Sequence, residues 1–492
     1  MKPIFVWFRF CALVGVLLVS QTLNAKTVAQ ENYSVSQSDR SKICSQDLPK
    51  AIKEIINRPH LARSRWGMEI QTETGEVLYS LNSHQLFTPA SSVKLLTTAA
   101  ILSFFDGRDR LTTPILASGN APNLTSLRLK GKGDPTITTQ SLEQIANRLQ
   151  ALGVKKIEQL IVEDSYFDAP AINPTWEWLD VHNYFATAAN SLILNQNAVT
   201  LTILPQEINQ PVKFYWSDRL AGRQWQIINR GMTGEKDIPY NIEIDGDLGK
   251  PLLAIRGELA VNEPPDIWDM AVVDPANYFL EQWRWQLARA GIEVTRGIVI
   301  NEAESQELEE ELLTISSPAI ARMVEEINQK SNNLYAEALA KILAKRLEAE
   351  DVIEAINLSL NKLGIGENEY ILADASGLSR QNLVSPHTLV KVLDIASKSP
   401  KLDRETYRKS LAVAGNSGTL KNRFKDTPVQ NNFWGKTGTL TGVGTLSGYL
   451  FVPDFSTIKI SIMVNNSDLS SKQIRQSIDE IVVVLSHTKN CR

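Results

Sequence analysis

The chain has 492 residues, 43% hydrophobic and 22% charged, with a formal net charge of −4. That length exceeds one ordinary hydrophobic core and points to about two to four domains. No basic field is present to attract nucleic acid, and no fixed-period repeat points to a solenoid or propeller.

The N-terminus reads as an address. Lys2 and Arg9 precede an apolar run from Phe10 to Val19, and small or polar residues follow to Ala25. The run has the length of a signal-peptide core and is short for a membrane span. Residues 1–25 are read as an export signal cleaved near Ala25; Leu23 is bulky for a cleavage site, and an uncleaved anchor is the alternative. No later run is apolar enough to span a bilayer. Residues 26–43 are polar and rich in Ser and Gln, and read as a flexible leader. Cys11 falls in the signal, whereas Cys44 and Cys491 flank the rest of the chain. In an oxidising compartment these two read as one bridge; two free thiols are the alternative, because sequence does not fix their separation.

Structure is expected to begin near Cys44, with a helix through Ile52, Ile55 and Ile56. Trp66 to Leu81 alternates apolar and polar residues around Glu73-Thr74-Gly75-Glu76, a hairpin pattern. Ser91 to Phe105 reads as a buried helix, with Pro89 ahead of it and Gly107 beyond it. From 113 to 301 short β-like runs dominate, such as Ser126–Leu129 and Val199–Leu204, together with an amphipathic helix over Tyr278–Ala290. Within that region, about 205–260 reads as a nested all-β subdomain. Helices return at Pro318–Ile327 and Asn333–Leu347, Trp434 to Val464 reads as three strands, and a helix closes the chain at Ser471–Leu485. The pattern predicts an α+β fold. Residues 44–112 and 302–492 form one domain, interrupted by a mainly β insert at 113–301.

Three short motifs carry the chemistry: Ser91-Ser92-Val93-Lys94, Ser331-Asn332-Asn333, and Lys436-Thr437-Gly438 followed by Thr439. Each is weak alone. Ser-x-x-Lys also starts at Ser359, Ser456 and Ser486, and a serine at a helix start is commonly just a cap. Context favours Ser91, which opens an apolar helix where free backbone N–H groups and the helix dipole favour developing negative charge. Lys94, three residues on, shares its face. A lysine in a dry site loses its proton and serves as a base, which a serine hydroxyl needs to become a nucleophile. Ser331 is placed to relay a proton between Lys94 and a leaving amine, and Asn333 to donate to a substrate carbonyl. On a β-strand, Lys436 and Thr437 suit a terminal carboxylate, and Gly438 permits close approach of an extended peptide. The N–H groups of Thr439 and Ser91 suit an oxyanion hole. Gly435-Lys436-Thr437 resembles the end of a phosphate loop, but Gln430 stands where the upstream glycine is required.

In this order the motifs resemble the penicillin-binding proteins and serine β-lactamases. Further stretches resemble one branch, the class C low-molecular-mass penicillin-binding proteins, D-Ala-D-Ala carboxypeptidases and endopeptidases. These stretches are Gly131-Lys132-Gly133-Asp134-Pro135, Leu194-Asn195-Gln196-Asn197, Asp374-Ala375-Ser376-Gly377-Leu378-Ser379-Arg380, and Ala414-Gly415-Asn416-Ser417-Gly418-Thr419-Leu420. One departure is Ala375, where the family often has glycine. The resemblance implies a penicillin-binding catalytic domain: an antiparallel sheet flanked by helices. It makes Ser91, Lys94 and Ser331 catalytic, and has Asn333, Lys436, Thr437, Gly438 and Thr439 bind substrate. Peptidoglycan stem peptides and β-lactams are the implied partners, a periplasmic or otherwise extracytoplasmic site the implied location, and no metal or cofactor is called for. Trp176-Glu177-Trp178-Leu179-Asp180 resembles an aromatic–acidic wall of the substrate pocket, in which Asp180 meets an ammonium group; a solvated loop acid is the alternative reading.

Other classes fare worse. His60, His84, His182, His387 and His487 have no distinctive sequence setting and no G-x-S-x-G elbow accompanies them, against a Ser-His-Asp hydrolase. H-E-x-x-H is absent, against a zinc peptidase. A wall-binding protein without catalysis is disfavoured because every catalytic position is filled, and a β-lactamase because its segment between the first two motifs is much shorter than residues 95–330.

Overall fold

The computed structural model describes residues 42–247, 249–303, 309–453 and 455–491. The proposed signal and nearly all of the leader lie outside these residues. No helix among the described residues is long and apolar enough to cross a membrane.

A six-stranded antiparallel sheet organises the catalytic part. Its strands run in the order 412–413, 433–440, 443–452, 456–465, 65–72 and 77–81. The hairpin expected at Trp66–Leu81 forms its far edge, turning at Gly75 with φ +96. Strand Ser456–Asn465 shows why the sheet needs cover on both faces. Ile458, Ile460, Ile462 and Val464 face a layer made by helices Leu48–Ile56 and Ser471–Ser486. Met463 points into the opposite layer, as the two-residue period of a strand requires. That opposite layer centres on helix Lys94–Phe104, whose residues from Lys94 to Leu102 are all buried. A helix apolar on every side belongs in the middle of a core, and helices Asn333–Leu347, Val352–Leu363 and Pro386–Lys398 pack around it.

Ile43–Cys44, partly inside the expected leader, already pairs in parallel with Thr488–Lys489, and Cys44 is bridged to Cys491. Both ends of the catalytic part are thereby held on one face.

The insert is larger and less purely β than expected. A five-stranded sheet has the order 293–300, 156–163, 123–130, 110–120, 310–319, and its first three strands are parallel. Parallel neighbours need a crossover, supplied by helix Thr139–Ala151, which packs against helix Pro275–Arg289 with Trp283 fully buried between insert elements. Glu310–Ala319, assigned to the catalytic domain on sequence, pairs with Arg110–Asn120 and completes this sheet. The insert therefore leaves and rejoins at adjacent residues, Arg110 opposite Ala319. The nested subdomain at 205–260 is also not self-contained. Lys213–Trp216 pairs with Ala198–Leu204, which pairs in turn with Asp266–Ala271. Alternating patterns locate strands, but cannot say which partner completes a sheet.

Replacing Cys44 and Cys491 with serine removes a cross-link across nearly the whole chain. It is expected to lower stability by about 2–4 kcal/mol in urea unfolding and to speed amide exchange at Ile43–Cys44 and Thr488–Lys489.

Candidate active site

Ser91 does not sit on the α-helix itself. Ala90–Val93 is a 3₁₀ turn, and the α-helix begins at Lys94. With about three residues per turn, positions three apart fall directly in line, and Lys94 Nζ reaches Ser91 Oγ at 3.0 Å. The same Nζ donates to Asn333 Oδ1 at 2.6 Å and to the Ser376 carbonyl.

Asn333 opens helix Asn333–Leu347, capped by Asn332, whose side chain accepts from Tyr335 N at 3.1 Å. Ser331 precedes that cap with φ 59. Its hydroxyl accepts from Lys436 Nζ at 2.8 Å, rather than joining Lys94 as its expected relay role implied. The third motif lies on strand Phe433–Leu440. One side of this strand pairs along its whole length with 443–452. On the other side, among the described residues, pairing covers Phe433 to Gly435: Trp434 and Gly435 pair with Val413 and Ala412, and the Phe433 carbonyl accepts from Ala414 N at 3.0 Å. From Lys436 to Leu440 that edge is open to an extended peptide. Thr437 Oγ1 donates to Thr419 Oγ1 at 2.8 Å, and Thr439 is exposed.

The Ser91 turn is clasped by two glycines. A Cβ on Gly377 would lie 2.0 Å from the Ala90 carbonyl, and that residue also has φ +82. A Cβ on Gly438 would lie 2.7 Å from the Pro89 carbonyl and 2.2 Å from Thr445 Oγ1. Gly438 is therefore required by the protein's own turn, where the expectation assigned it to the approach of a substrate.

Electrostatics distinguish this serine–lysine pair from a surface one. Lys94 and Lys436 are both 0% exposed. Burial brings Lys94 down from its ordinary 10.5 to about 7, although Asp374 and Glu337 pull it up. The shift corresponds to roughly 5 kcal/mol in favour of the neutral amine. Burial, and then the charge of Lys94, holds Lys436 well below its ordinary value. An anion arriving beside Lys436 reverses that effect, because opposite charge favours the charged form.

Two acids carry parts of the site that the motifs do not reveal. Glu337 is one helical turn beyond Asn333; its Oε1 accepts from Ser376 N at 2.9 Å and Ala375 N at 3.1 Å. Burial, then the nearby Asp374, raises its carboxyl to about 7. Asp374 accepts from Gly377 N at 2.7 Å, Ser379 N at 2.6 Å and Asn382 Nδ2 at 2.7 Å. Together they fix the loop whose Ser376 carbonyl holds Lys94. The four-residue spacing from Asn333 to Glu337 is the sequence signal that locates the first acid.

Trp176 differs from its expected substrate-binding role. Its ring is only 7% exposed, and Nε1 donates to Asp374 Oδ2 at 2.9 Å, tying the insert to the catalytic loop. Trp178, 50% exposed, is the aromatic side chain of this patch that faces solvent. Asp180 is half-buried; its backbone bonds to Glu177 and Asn183, while its carboxylate makes no hydrogen bond or ion pair among the described residues. Burial, then Glu177, pushes its carboxyl up, opposed by Arg380. Arg380 itself pairs with Glu177 at 3.0 Å and donates to the Thr441 carbonyl at 3.1 Å. The insert also reaches the second motif just beyond this segment, since Asn333 Nδ2 donates to the Phe185 carbonyl at 2.8 Å. One of the two amide hydrogens expected for substrate is thus in use.

Residues 48–486 match the D-Ala-D-Ala carboxypeptidase 3 (S13) family model. The chain belongs to this family. It is 27% identical over 510 residues to penicillin-sensitive carboxypeptidase A of Dictyostelium discoideum, covering 96% of this chain and 97% of that relative. It is 28% identical over 469 residues to a D-alanyl-D-alanine carboxypeptidase of an Actinomadura species, covering 91% and 85% of the two chains. Among solved structures, penicillin binding protein 4 of Haemophilus influenzae superposes with a TM-score of 0.77 at 23% identity, covering 89% of this chain and 98% of that one. This match shows the shared α+β fold. Membership makes the chain a serine-type D-Ala-D-Ala carboxypeptidase.

Glu337→Gln retains an oxygen for the Ala375 and Ser376 amides but removes a negative charge that holds Lys94 up. An amine serves as a base only when unprotonated, so with Lys94 in that role acylation is expected to rise with pH through about 7. In the variant this acidic limb is expected at lower pH in acylation-rate profiles; a limb that stays put or moves up contradicts the assignment.

Proposed function

We propose that Ser91 is the acylated nucleophile of this DD-carboxypeptidase and Lys94 its base, acting on peptidoglycan stem peptides. The observation that carries the reading is the amine of Lys94, fully buried and held against Ser91 Oγ at 3.0 Å. Neutral Lys94 takes the Ser91 proton as Oγ attacks the carbonyl of the penultimate D-alanine. The N–H groups of Ser91 and Thr439 receive the oxyanion. The carbon–nitrogen bond then breaks, the terminal D-alanine leaves with the proton that Lys94 took from Ser91, and water hydrolyses the ester.

The open edge from Lys436 to Leu440 supports an extended substrate pairing beside the nucleophile turn. Lys436 and Thr437 at that edge favour a free terminal carboxylate, hence carboxypeptidase action. Cross-link cleavage uses the same acyl-enzyme with a different leaving amine. A β-lactam presents a similar strained amide to Ser91 and becomes a trapped ester; slow release separates this enzyme from a β-lactamase. The disulfide between Cys44 and Cys491 supports an exported, oxidising location, in keeping with the export signal read at 1–25. Residues 44–109 and 320–491 are proposed as the catalytic domain, with the insert between them.

Fluorescent penicillin is expected to label the chain in a long-lived adduct and to leave Ser91→Ala unlabelled; labelling of the variant overturns the nucleophile assignment. D-Alanine release from an uncross-linked muropeptide should vanish in the same variant. Asp180, whose carboxylate has no hydrogen-bond or ion-pair partner among the described residues, is proposed to receive an ammonium group of the stem peptide. Asp180→Ala is then expected to raise KM for a stem peptide bearing a free side-chain amine, with kcat little changed, and not for its N-acetylated form.

A further inference from the structure

Away from the nucleophile, three side chains from separate segments converge. Glu69 lies in the middle of strand Arg65–Thr72, His84 follows strand Val77–Leu81, and His387 is in the first turn of helix Pro386–Lys398. One ligand atom from each lies within 4.8 Å of the others. His387 Nδ1 is 3.0 Å from Glu69 Oε1, and the two imidazole rings lie 4.4 Å apart, centre to centre.

The Glu69 carboxylate is unusual for its surroundings. Its side chain is 3% exposed, yet its hydrogen-bond partners among the described residues are Gln71, which is neutral, and His387. Buried carboxylates are ordinarily paired with a cation or coordinate one. Glu369, the other acid close to His387, is already paired with Lys391 at 2.7 Å. Arg65 is turned to the Leu86 carbonyl and Gln85.

We propose that Glu69, His84 and His387 form a binding site for a divalent transition metal, zinc by its donor chemistry. Two imidazole nitrogens and one carboxylate are a borderline donor set suited to zinc, with a fourth position left for water. Zinc bonds of about 2.0–2.1 Å hold tetrahedral ligand atoms roughly 3.3 Å apart, so His387 and Glu69 already stand near that spacing. His84 is exposed and closes the set by turning its ring, which also provides the entry path. The scaffold is coupled at the backbone, because His387 N donates to the Ser83 carbonyl at 2.9 Å. A bound metal would pin helix Pro386–Lys398 to the hairpin and to the segment that leads into the Ser91 turn. The role is structural, distinct from the acylation chemistry, and does not depend on that assignment.

The test is zinc titration of the purified, metal-stripped chain by calorimetry, with cobalt absorption as a second readout. One equivalent is expected to bind, to raise the unfolding midpoint, and to give the visible bands of tetrahedral cobalt. His84→Ala, a surface change that folding tolerates, and His387→Ala are each expected to weaken binding at least about tenfold. His60→Ala is expected to bind as the parent does. Uptake by the parent no greater than by the His84→Ala/His387→Ala double variant overturns the site, as does equal loss in His60→Ala; Glu69 and His387 are then an ion pair with a histidine stacked on it. Penicillin labelling of Ser91 in every variant shows that the fold is retained.

Discussion

The active site depends on removing one amine from water. Lys94 is part of the helix at the centre of the core, and burial alone is enough to bring its pKa to about 7 despite two nearby acids. In water the same amine would hold its proton and could not accept one from Ser91. The hydrogen bonds to Asn333 Oδ1 and the Ser376 carbonyl then decide where the dry amine points. In the proposed assignment, catalytic competence is therefore a property of the packed core as much as of four residues in a row.

That arrangement places demands on the neighbours. Fixing the Ser376 carbonyl needs its loop tied down, and Glu337 and Asp374 do so through backbone amides. Bringing the loop and the Lys436 strand onto the Ser91 turn leaves no room for a Cβ at Gly377 or Gly438. The two acids also set a limit on Lys94. They hold its pKa near neutrality, where a base is most useful, instead of letting burial carry it further down.

The insert meets the loops of the site at several points. Trp176 reaches Asp374, and the Phe185 carbonyl takes an Asn333 hydrogen. Asn332 also donates to Gln196 at 2.7 Å, inside a left-handed turn over Asn195–Asn197. Because the insert departs and returns at paired residues, Arg110 and Ala319, its own sheets are complete without altering the catalytic sheet. Movement of its Trp176–Phe185 segment would nevertheless be felt at Asn333 and at the Asp374 loop.

Local patterning was enough to determine much of this protein. Alternation and helical period located the hairpin, the three strands around Lys436, and helix Asn333–Leu347 to the residue, because each signal is carried within a few turns of chain. Motif order singled out Ser91 among four Ser-x-x-Lys matches. Only tertiary structure decided what depends on distant partners. It moved Glu310–Ala319 into the insert, turned Trp176 from the pocket toward Asp374, gave Ser331 to Lys436, and made Gly438 a neighbour of Pro89. It also brought His84 and His387 onto Glu69, three residues with no signal in common along the chain. A sequence records which groups are available; burial and cross-chain proximity, which set their charge and their partners, exist only once the chain has folded.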